Sequence, residues 1–237
     1  MNMIIYIAVV IVILYILGNV VGYILVGVFC HIFSYKSSKQ KKNEHDSAVN
    51  ANKKESRFHD NFVGGFVCGI IHYFILDTGR IPSFSIRHFF YRHIFCMKIT
   101  RKTIIYGGCE FRSPWNIKIG NSVIGPRTIL DGRSGIIIGD NVCISNQVNI
   151  WTNQHDTQDS MFGVNKGIVI IDDYAWISSR VTILPGRTVN KGAIIASGAV
   201  VTKDCEEFKI YGGVPAVIIG ERNKNLTYQF DKHWYFI

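Results

Sequence analysis

The sequence predicts an all-β repeat domain preceded by membrane-associated helices, and three observations lead to this fold class. Residues 171–206 divide into six hexapeptides that each begin with Ile or Val. Residues 3–30 contain no charged side chain, and basic side chains cluster within residues 36–57. A period of six matches neither an α-helix nor a single alternating strand, so it indicates a short strand and a turn that repeat.

Residues 1–33 are predicted to form a transmembrane helix, because a bilayer core needs about 20 apolar residues. A cleaved signal peptide would start with basic residues and have a shorter apolar core, whereas this segment starts with uncharged Met-Asn. The basic side chains follow the apolar segment, so the positive-inside rule predicts that the rest of the chain lies in the cytoplasm. They are Lys36, Lys39, Lys41, Lys42, Lys53, Lys54 and Arg57.

The net charge of +9 indicates a membrane flank rather than a nucleic-acid-binding surface, because much of it follows the apolar segment directly. Residues 34–60 are polar and aperiodic and are predicted to be a basic linker. The six cysteines are scattered without a CxxC pair, which predicts reduced, buried thiols.

Residues 61–98 are predicted to be a helical, membrane-associated segment. Its first part, 62–76, would be about 22 Å long as a helix, too short for a core of about 30 Å. After Pro82, apolar residues recur at helical spacing, opposite a polar face of Ser85, His88 and Arg92. The apolar residues are Ile86, Phe89, Phe90, Ile94 and Met97. This amphipathic helix either lies on an anionic membrane surface or caps the following domain, or does both.

Residues 99–220 are predicted to form the repeat domain, and 221–237 a C-terminal tail. Three hexapeptides close one triangular coil, with the first residue of each pointing into a shared core. The first positions from 171 onward are Ile171, Ile177, Ile183, Val189, Ile195 and Val201. The fifth positions are mostly small and include Ala175, Ala193 and Ala199, with Arg187 as the exception.

The repeat breaks at 150–159, IWTNQHDTQD, where the chain places His155. An imidazole that titrates near neutral pH can accept a proton from an attacking group and return it to a leaving group. The break therefore predicts a polar loop, followed by an excursion over 156–170, and His155 on this loop is either a general base or an ordinary surface histidine.

The hexapeptides, the His-bearing loop and the motifs AWIS, ASGAVVTKD and GGVPAVII resemble those of the left-handed β-helix (hexapeptide-repeat) acyltransferases. The sequence is most similar to the group of galactoside, maltose and exopolysaccharide O-acetyltransferases, over about residues 99–222. This resemblance implies a left-handed parallel β-helix, a homotrimer, and acetyl-CoA as co-substrate without a metal ion.

The resemblance also implies site residues. His155 follows Asn141 of a G-D-N turn by fourteen positions, as the catalytic histidine of the family does, and the backbone N–H of Ser179 would stabilise the oxyanion. The residues that match coenzyme A contacts are Trp176, Ser179, Ser197, Thr202, Lys203 and Pro215. Val217 and Gly220 stand where relatives often carry basic residues, and Arg222 would substitute for these.

Acceptor recognition is expected to differ from that of the sugar acetyltransferases, because Gly125 aligns with their substrate-binding Asn. Asp131 either binds sugar hydroxyls, orients His155 by accepting its other N–H, or is only a turn residue. Asn149 and Asn153 are further substrate candidates.

These features together predict a membrane-anchored O-acetyltransferase of the cytoplasmic (inner) membrane, with its catalytic domain facing the cytoplasm. The expected acceptor is a sugar hydroxyl of a surface polysaccharide or of a lipid-linked precursor, and no nucleic-acid partner is expected. An N-acetyltransferase acting on an amino-sugar, a xenobiotic acetyltransferase and a non-enzymatic trimeric scaffold remain as alternatives. A zinc carbonic anhydrase on this fold would need three protein ligands, and residues 99–232 contain His155 as their single histidine.

Overall fold

The computed structural model describes residues 2–46 and 62–230, and the side chains of 7–39 and 64–230. Three helices come first: α1 Asn2–Asp46, α2 Phe62–Gly79 and α3 Phe84–Phe89, which continues into a π-helical turn, Phe90–Ile94. Short strands follow, and a 3₁₀ turn at Pro114–Asn116 interrupts them early.

The strands are two to five residues long. In chain order they are β1 Lys98–Ile99, β2 Ile104–Ile105, β3 Glu110–Arg112, β4 Ile117–Ile119, β5 Val123–Ile124, β6 Ile129–Asp131, β7 Ile136–Ile138, β8 Cys143–Ile144, β9 Asn149–Ile150, β10 Asn153–His155, β11 Val164–Lys166, β12 Val169–Ile171, β13 Trp176–Ile177, β14 Thr182–Ile183, β15 Thr188–Val189, β16 Ile194–Ile195, β17 Val200–Val201, β18 Lys209–Gly212 and β19 Val217–Glu221.

Three parallel sheets form the sides of a triangular coil. Face 1 has the order β1-β4-β7-β12-β15, face 2 runs β2-β5-β8-β13-β16-β18, and face 3 runs β3-β6-β9-β14-β17. The antiparallel strand β19 pairs with β18 at the end of face 2. The chain turns at three edges, which we call corner 1–2, corner 2–3 and corner 3–1 after the faces they join. The prediction of a parallel β-helix is confirmed, and its left-handed sense stays a prediction.

The core is the column of aliphatic side chains that the hexapeptides place inside the coil. All six first-position residues from Ile171 to Val201 are fully buried, as are the fifth-position residues Ala175, Ala193 and Ala199. Arg187, the exception, instead donates from Nε to the carbonyl of Pro185 (3.1 Å). Each rung thus buries its own apolar side chain against the rungs above and below, which accounts for the regular stacking.

Segment 61–98 covers the first coil. Tyr91 and Phe95 are fully buried, and Tyr91 packs edge-on against Phe111 with ring centroids 5.1 Å apart. On the predicted apolar face, Ile86 and Phe89 are about half exposed, whereas their neighbour Arg87 is buried.

Arg87 is buried, and its guanidinium donates hydrogen bonds to backbone carbonyls. It binds the carbonyls of Pro82 (3.0 Å) and Ile105 (3.2 Å). Charge-assisted hydrogen bonds of this kind compensate the desolvation of an arginine. The capping alternative therefore describes this segment, and contact with a membrane stays a prediction.

Helix α1 extends well past the predicted boundary at residue 33. Its polar end contains Lys, Gln and Glu, which favour helix, and no Gly or Pro to end it. Contacts with the 3₁₀ turn also hold it: Phe33 stacks on Trp115 with centroids 5.1 Å apart, and Ser37 Oγ donates to Asn116 Oδ1 (2.5 Å). Residues 34–46 of the predicted linker are therefore helical, and residues 47–60 lie outside the described residues, as does the tail from 231 onward.

Helix α1 has two parts that differ in their surroundings. From Ile7 to Gly18 every residue is exposed, although nearly all are apolar. Further along, Val26 and Cys30 are buried against α2 and the π-helical turn, and Gly22 permits the close approach because an added Cβ would lie 2.2 Å from Phe74. By length and composition, α1 could cross a membrane.

The six cysteines form no disulfide and are spread over the helices and the coil. Burial raises the pKa of the Cys109 and Cys205 thiols to about 12. Such thiols stay protonated near neutral pH and behave as small apolar side chains.

Candidate active site

The predicted break is a β-hairpin that leaves the coil at corner 3–1. Strands β10 and β11 pair antiparallel, with Asn153 opposite Lys166 and His155 opposite Val164. The excursion adds fifteen residues to one coil, because β8 and β13 pair at positions 33 residues apart whereas β13 and β16 pair 18 apart.

Two aspartates build the tip of the hairpin. Asp156 Oδ1 accepts from the Gln158 N–H (2.9 Å), and Asp159 accepts from the N–H groups of Met161 (2.8 Å) and Gly163 (3.1 Å). Aspartate side chains stabilise turns in this way because they replace the missing strand partners of nearby backbone donors. The polar loop of the sequence therefore folds as a defined turn.

His155 is exposed on this hairpin, and Phe162 fixes its ring. The Nδ1 atom lies 3.0 Å from the Phe162 carbonyl oxygen, and the two rings stack with centroids 3.8 Å apart and an interplanar angle of 15°. A carbonyl only accepts hydrogen bonds, so Nδ1 carries the proton and donates it to this bond. The Nε2 lone pair of the neutral ring therefore points away from this contact and can accept a proton.

A hydrogen-bonded cluster attaches the hairpin to the coil. Ser134 Oγ donates to Asn153 Oδ1, and Thr152 Oγ1 donates to the Asp131 carbonyl (2.7 Å). The Thr152 hydroxyl also accepts from the Ser134 N–H (3.0 Å). Asn153 thus has a positioning contact at the base of strand β10, two residues before His155.

Asp131 is fully buried and forms a bidentate pair with Arg133, with both N···O distances 2.8 Å. These hydrogen bonds raise the pKa of the Arg133 guanidinium. The hypothesis that Asp131 orients His155 is corrected by this arrangement, since the Phe162 carbonyl accepts the Nδ1–H bond instead. The Asp131 carboxylate is instead paired with the guanidinium of Arg133, two residues further along the chain.

Trp176 and Ser179 lie on another part of the coil. Trp176 begins β13 on face 2, is 42% exposed, and donates from Nε1 to Ser145 Oγ (3.3 Å). Ser179 lies at corner 2–3, where its carbonyl accepts from the Gly198 N–H (3.0 Å). Among the described residues, no acceptor binds the Ser179 backbone N–H, so this donor can serve an external oxygen.

The other cofactor candidates follow the same two corners. Ser197 is exposed at corner 2–3, and Pro215 is exposed beside the same corner, after a cis peptide bond with Val214. Thr202 and Lys203 follow face 3 at corner 3–1, and Lys203 is exposed. Asn149 lies between these corners, at the start of strand β9 on face 3.

Arg222 does not join these candidates. Its Nη1 donates to the carbonyls of Tyr174 (2.6 Å) and Gly192 (3.1 Å) at corner 1–2, and its Nη2 donates to the Tyr228 hydroxyl (3.1 Å). The prediction that Arg222 substitutes for a phosphate-binding residue is therefore wrong for this conformation. The guanidinium fastens the C-terminal segment to the coil because the carbonyls of two turns accept its charge-assisted hydrogen bonds.

Gly125 explains one departure from the family. A Cβ atom at this position would lie 2.6 Å from the carbonyl carbon and oxygen of Ser145. The backbones of two neighbouring rungs pack too closely here for any side chain. Acceptor recognition by an asparagine at this position is therefore excluded by packing.

Comparison with known proteins agrees with this geometry. No family model matches the chain. The putative colanic acid biosynthesis acetyltransferase WcaF of Escherichia coli is 27% identical over 134 residues, which cover 56% of this chain and 74% of the relative. The galactoside O-acetyltransferase of Escherichia coli is 32% identical over 126 residues, which cover 51% of this chain and 59% of the relative.

Among solved structures, a hexapeptide-repeat acetyltransferase of Vibrio cholerae complexed with acetyl-CoA has the same fold. It matches with a TM-score of 0.62 at 21% identity, over 70% of this chain and 92% of that one. The chain is thus similar in sequence to acetyltransferases and similar in fold to a hexapeptide-repeat acetyltransferase. The resemblance stated from its motifs is thereby confirmed.

The residues that position the candidate side chains were not predicted from the sequence. Phe162 holds His155, Ser134 holds Asn153, and Ser145 holds Trp176. A signal for Phe162 exists in retrospect, because it is the single aromatic residue in the sequence of the excursion over 156–170. Ser134 and Ser145 gave no signal, because each is an ordinary turn residue until the rungs stack.

Proposed function

We propose that this protein is a membrane-anchored acetyltransferase that moves an acetyl group from acetyl-CoA to a sugar hydroxyl. The acceptor would belong to a surface polysaccharide or to its lipid-linked precursor. The observation that carries the proposal is His155, whose Nδ1–H is bound to the Phe162 carbonyl while Nε2 stays available on an exposed hairpin. Names of the relatives, which include a colanic acid biosynthesis acetyltransferase and a galactoside O-acetyltransferase, support a sugar acceptor.

In the proposed reaction, His155 Nε2 takes the proton of the acceptor hydroxyl as its oxygen attacks the thioester carbonyl. The Ser179 backbone N–H donates to the oxyanion of the tetrahedral intermediate. When the carbon–sulfur bond breaks, the His155 imidazolium returns the proton to the departing thiolate. The products are an acetyl ester and coenzyme A, and no acyl-enzyme forms.

The proposed site needs two copies of the chain. Within one copy His155 lies at corner 3–1 and Ser179 at corner 2–3, so face 3 separates them. One side of the triangle is six residues long, or at most about 20 Å. In a homotrimer, corner 3–1 of one copy would meet corner 2–3 of its neighbour and bring together His155 and Lys203 with Ser179, Ser197 and Trp176.

The proposed location is the cytoplasmic side of the inner membrane. The exposed apolar part of α1 is followed by Lys36 and Lys39 on its C-terminal end. This order favours a cytoplasmic C-terminal side by the positive-inside rule. Acetyl-CoA would then be drawn from the cytoplasm, and Lys203 would contact its phosphates.

The test is transfer of radiolabelled acetyl from acetyl-CoA by the full chain in mild detergent, with a glycolipid extract and a panel of free sugars as acceptors. We expect label in a product that mild alkali releases, because esters hydrolyse under conditions in which amides persist. An alkali-stable product would show an amino-sugar acceptor instead. Absence of transfer to every acceptor, together with no thermal stabilisation by millimolar acetyl-CoA, would favour the scaffold alternative. A monomer in detergent would contradict the two-copy site.

A further inference from the structure

A cavity and a groove adjoin each other at the junction of the helices and the first coils. The cavity has a volume of 320 Å³ and lies between α2 and the strands β3 and β6. The groove has a volume of 590 Å³ and lies between α1 and α2, where its lining is apolar and includes Leu25, Phe29 and Phe66. Gly69 and Ile71 line both spaces, so the groove and the cavity adjoin each other along α2.

The cavity differs from the groove in its charge. Arg112, Arg133 and His72 line it together with the aromatic side chains of Phe111 and Trp115. An apolar space that ends at two guanidinium groups suits a molecule with an apolar chain and an anionic head.

Both arginines have carboxylate partners but keep donors for a ligand. Asp131 takes the Nε and Nη2 edge of Arg133, and Glu110 takes Nε of Arg112 at 3.0 Å. Among the described residues, no acceptor binds Nη1 of Arg133 or either Nη atom of Arg112. Each guanidinium has five N–H donors, so several remain for phosphate oxygens.

The groove opens on a surface that is suited to lipid. Leu25, Phe66, Tyr73 and Phe89 are each more than half exposed on α1, α2 and α3. The basic end of α1 lies beside the cavity, because Ser37 binds Asn116, next to the cavity residue Trp115. A membrane lipid could therefore enter sideways with its chain in the groove.

The other end of the cavity leads to the catalytic hairpin. Arg133 lines the cavity, and its neighbour Ser134 donates to Asn153 at the base of strand β10. His155 follows two residues later, about 7 Å along an extended strand. A sugar attached to an anionic head at Arg133 would thus lie on the side of the molecule that carries His155.

We propose that the groove between α1 and α2 and the cavity at Arg112 and Arg133 form a binding site for a membrane lipid whose phosphate or diphosphate carries the acceptor sugar. This inference deepens the proposed function and rests on it for the sugar. The lipid site itself is defined by the apolar groove, the two arginines and the position of Gly69 in the lining of both spaces. It assigns a task to α1 and α2 beyond anchoring.

The experiment measures equilibrium binding of radiolabelled farnesyl diphosphate to the full chain in phosphatidylcholine nanodiscs, with empty nanodiscs as background. Farnesol, which lacks the diphosphate, and inorganic diphosphate, which lacks the chain, are the competitors. We expect each to compete at least tenfold more weakly than unlabelled farnesyl diphosphate. Equal competition by inorganic diphosphate would show a site for soluble phosphates, and equal competition by farnesol would show apolar partition. Either result overturns the proposal.

Two substitutions locate the site. Arg112→Gln should weaken binding at least tenfold, whereas Arg101→Gln, an exposed position on the same coil, should change it less than twofold. Gly69→Leu should block the opening, because the position has open space for a Cβ and leucine favours helix. Gly65→Leu, one turn earlier on α2 with equally open space, is its matched control.

Unchanged binding in both Arg112→Gln and Gly69→Leu overturns the lipid site. These measurements contain no acetyl-CoA, so they are independent of catalysis. Acetyl transfer that depends on His155, measured with a free sugar, would survive failure of the lipid site. Conversely, loss of farnesyl diphosphate binding cannot be caused by an error in the catalytic assignment.

Discussion

Replacing His155 with asparagine separates two properties of this side chain, its hydrogen bond to the Phe162 carbonyl and its ability to accept a proton. The asparagine amide N–H can donate to the Phe162 carbonyl, as Nδ1–H does over 3.0 Å. The amide has no basic lone pair, so it cannot take a proton from the acceptor. We expect both His155→Asn and His155→Ala to lower kcat at least about 100-fold, since a general base contributes roughly 10² to 10⁴.

Positioning alone cannot produce a loss of this size. The stacked pair of His155 and Phe162 has centroids 3.8 Å apart, and such pairs contribute about 0.5–1.5 kcal/mol. At about 1.36 kcal/mol per tenfold change in rate, loss of the stack lowers kcat by a factor of about 2 to 13. Phe162→Ala, which keeps the backbone carbonyl and the histidine, should fall in this range.

The assay is the initial rate of coenzyme A release at saturating acetyl-CoA, with the acceptor found in the transfer experiment. Stabilisation of each variant by acetyl-CoA in a thermal-shift titration checks that the fold and the cofactor site are intact. If His155→Asn keeps more than about one tenth of the activity, positioning would explain the whole effect. His155 would then not be the base, and the proposed mechanism would be refuted.

Three further predictions concern the coil. Desolvation by burial, with neighbouring carboxylates, raises the pKa of Asp172, so its charged form lowers the stability of the fold above that pKa. Asp172→Asn should therefore raise the unfolding temperature at pH 7. This increase in unfolding temperature should disappear as the pH falls through the raised pKa of Asp172. An equal increase at pH 7 and at pH 4 would contradict the prediction. Gly125→Ala should lower the unfolding temperature by several degrees, because its Cβ would overlap the Ser145 backbone and overpacking costs about 1–3 kcal/mol; differential scanning fluorimetry measures both variants. Arg222→Gln should lower the unfolding temperature and leave KM for acetyl-CoA within twofold of the unsubstituted protein. Lys203→Gln should raise that KM. A raised KM in Arg222→Gln would instead show that Arg222 contacts the phosphates of coenzyme A.

The coil was predictable because each hexapeptide buries its own side chain. Ile177, Ile183 and Val189 are fully buried at the positions that the period of six predicts. No long-range information is needed for this pattern, since every rung repeats the same local rule. The hairpin with His155 was predictable for the same reason, as an interruption of a regular series.

The helical segments were less predictable because their environment is set by the coil. Spacing placed Ile86 and Phe89 on the apolar face of an amphipathic helix, but both are about half exposed, and Arg87 is buried where it donates to the carbonyls of Pro82 and Ile105. The end of α1 depends likewise on Trp115, which follows Phe33 by 82 positions in the chain. The spacing of apolar residues indicates only which face of a helix is apolar. It contains no information on backbone carbonyls elsewhere in the chain that accept hydrogen bonds from a side chain on that helix.

The sequence by itself determined the repeat fold, the apolar N-terminal helix, the excursion from the repeat and the histidine on it, because these features follow from residue types at fixed spacing. Tertiary structure alone decided which nitrogen of His155 carries the proton, that Arg133 holds Asp131, and that Arg222 fastens the C-terminal segment. It also decided that a cavity lined by Arg112 and Arg133 adjoins an apolar groove between α1 and α2. Hydrogen-bond partners and cavities depend on atoms brought together from distant parts of the chain, and no local pattern of residues records them.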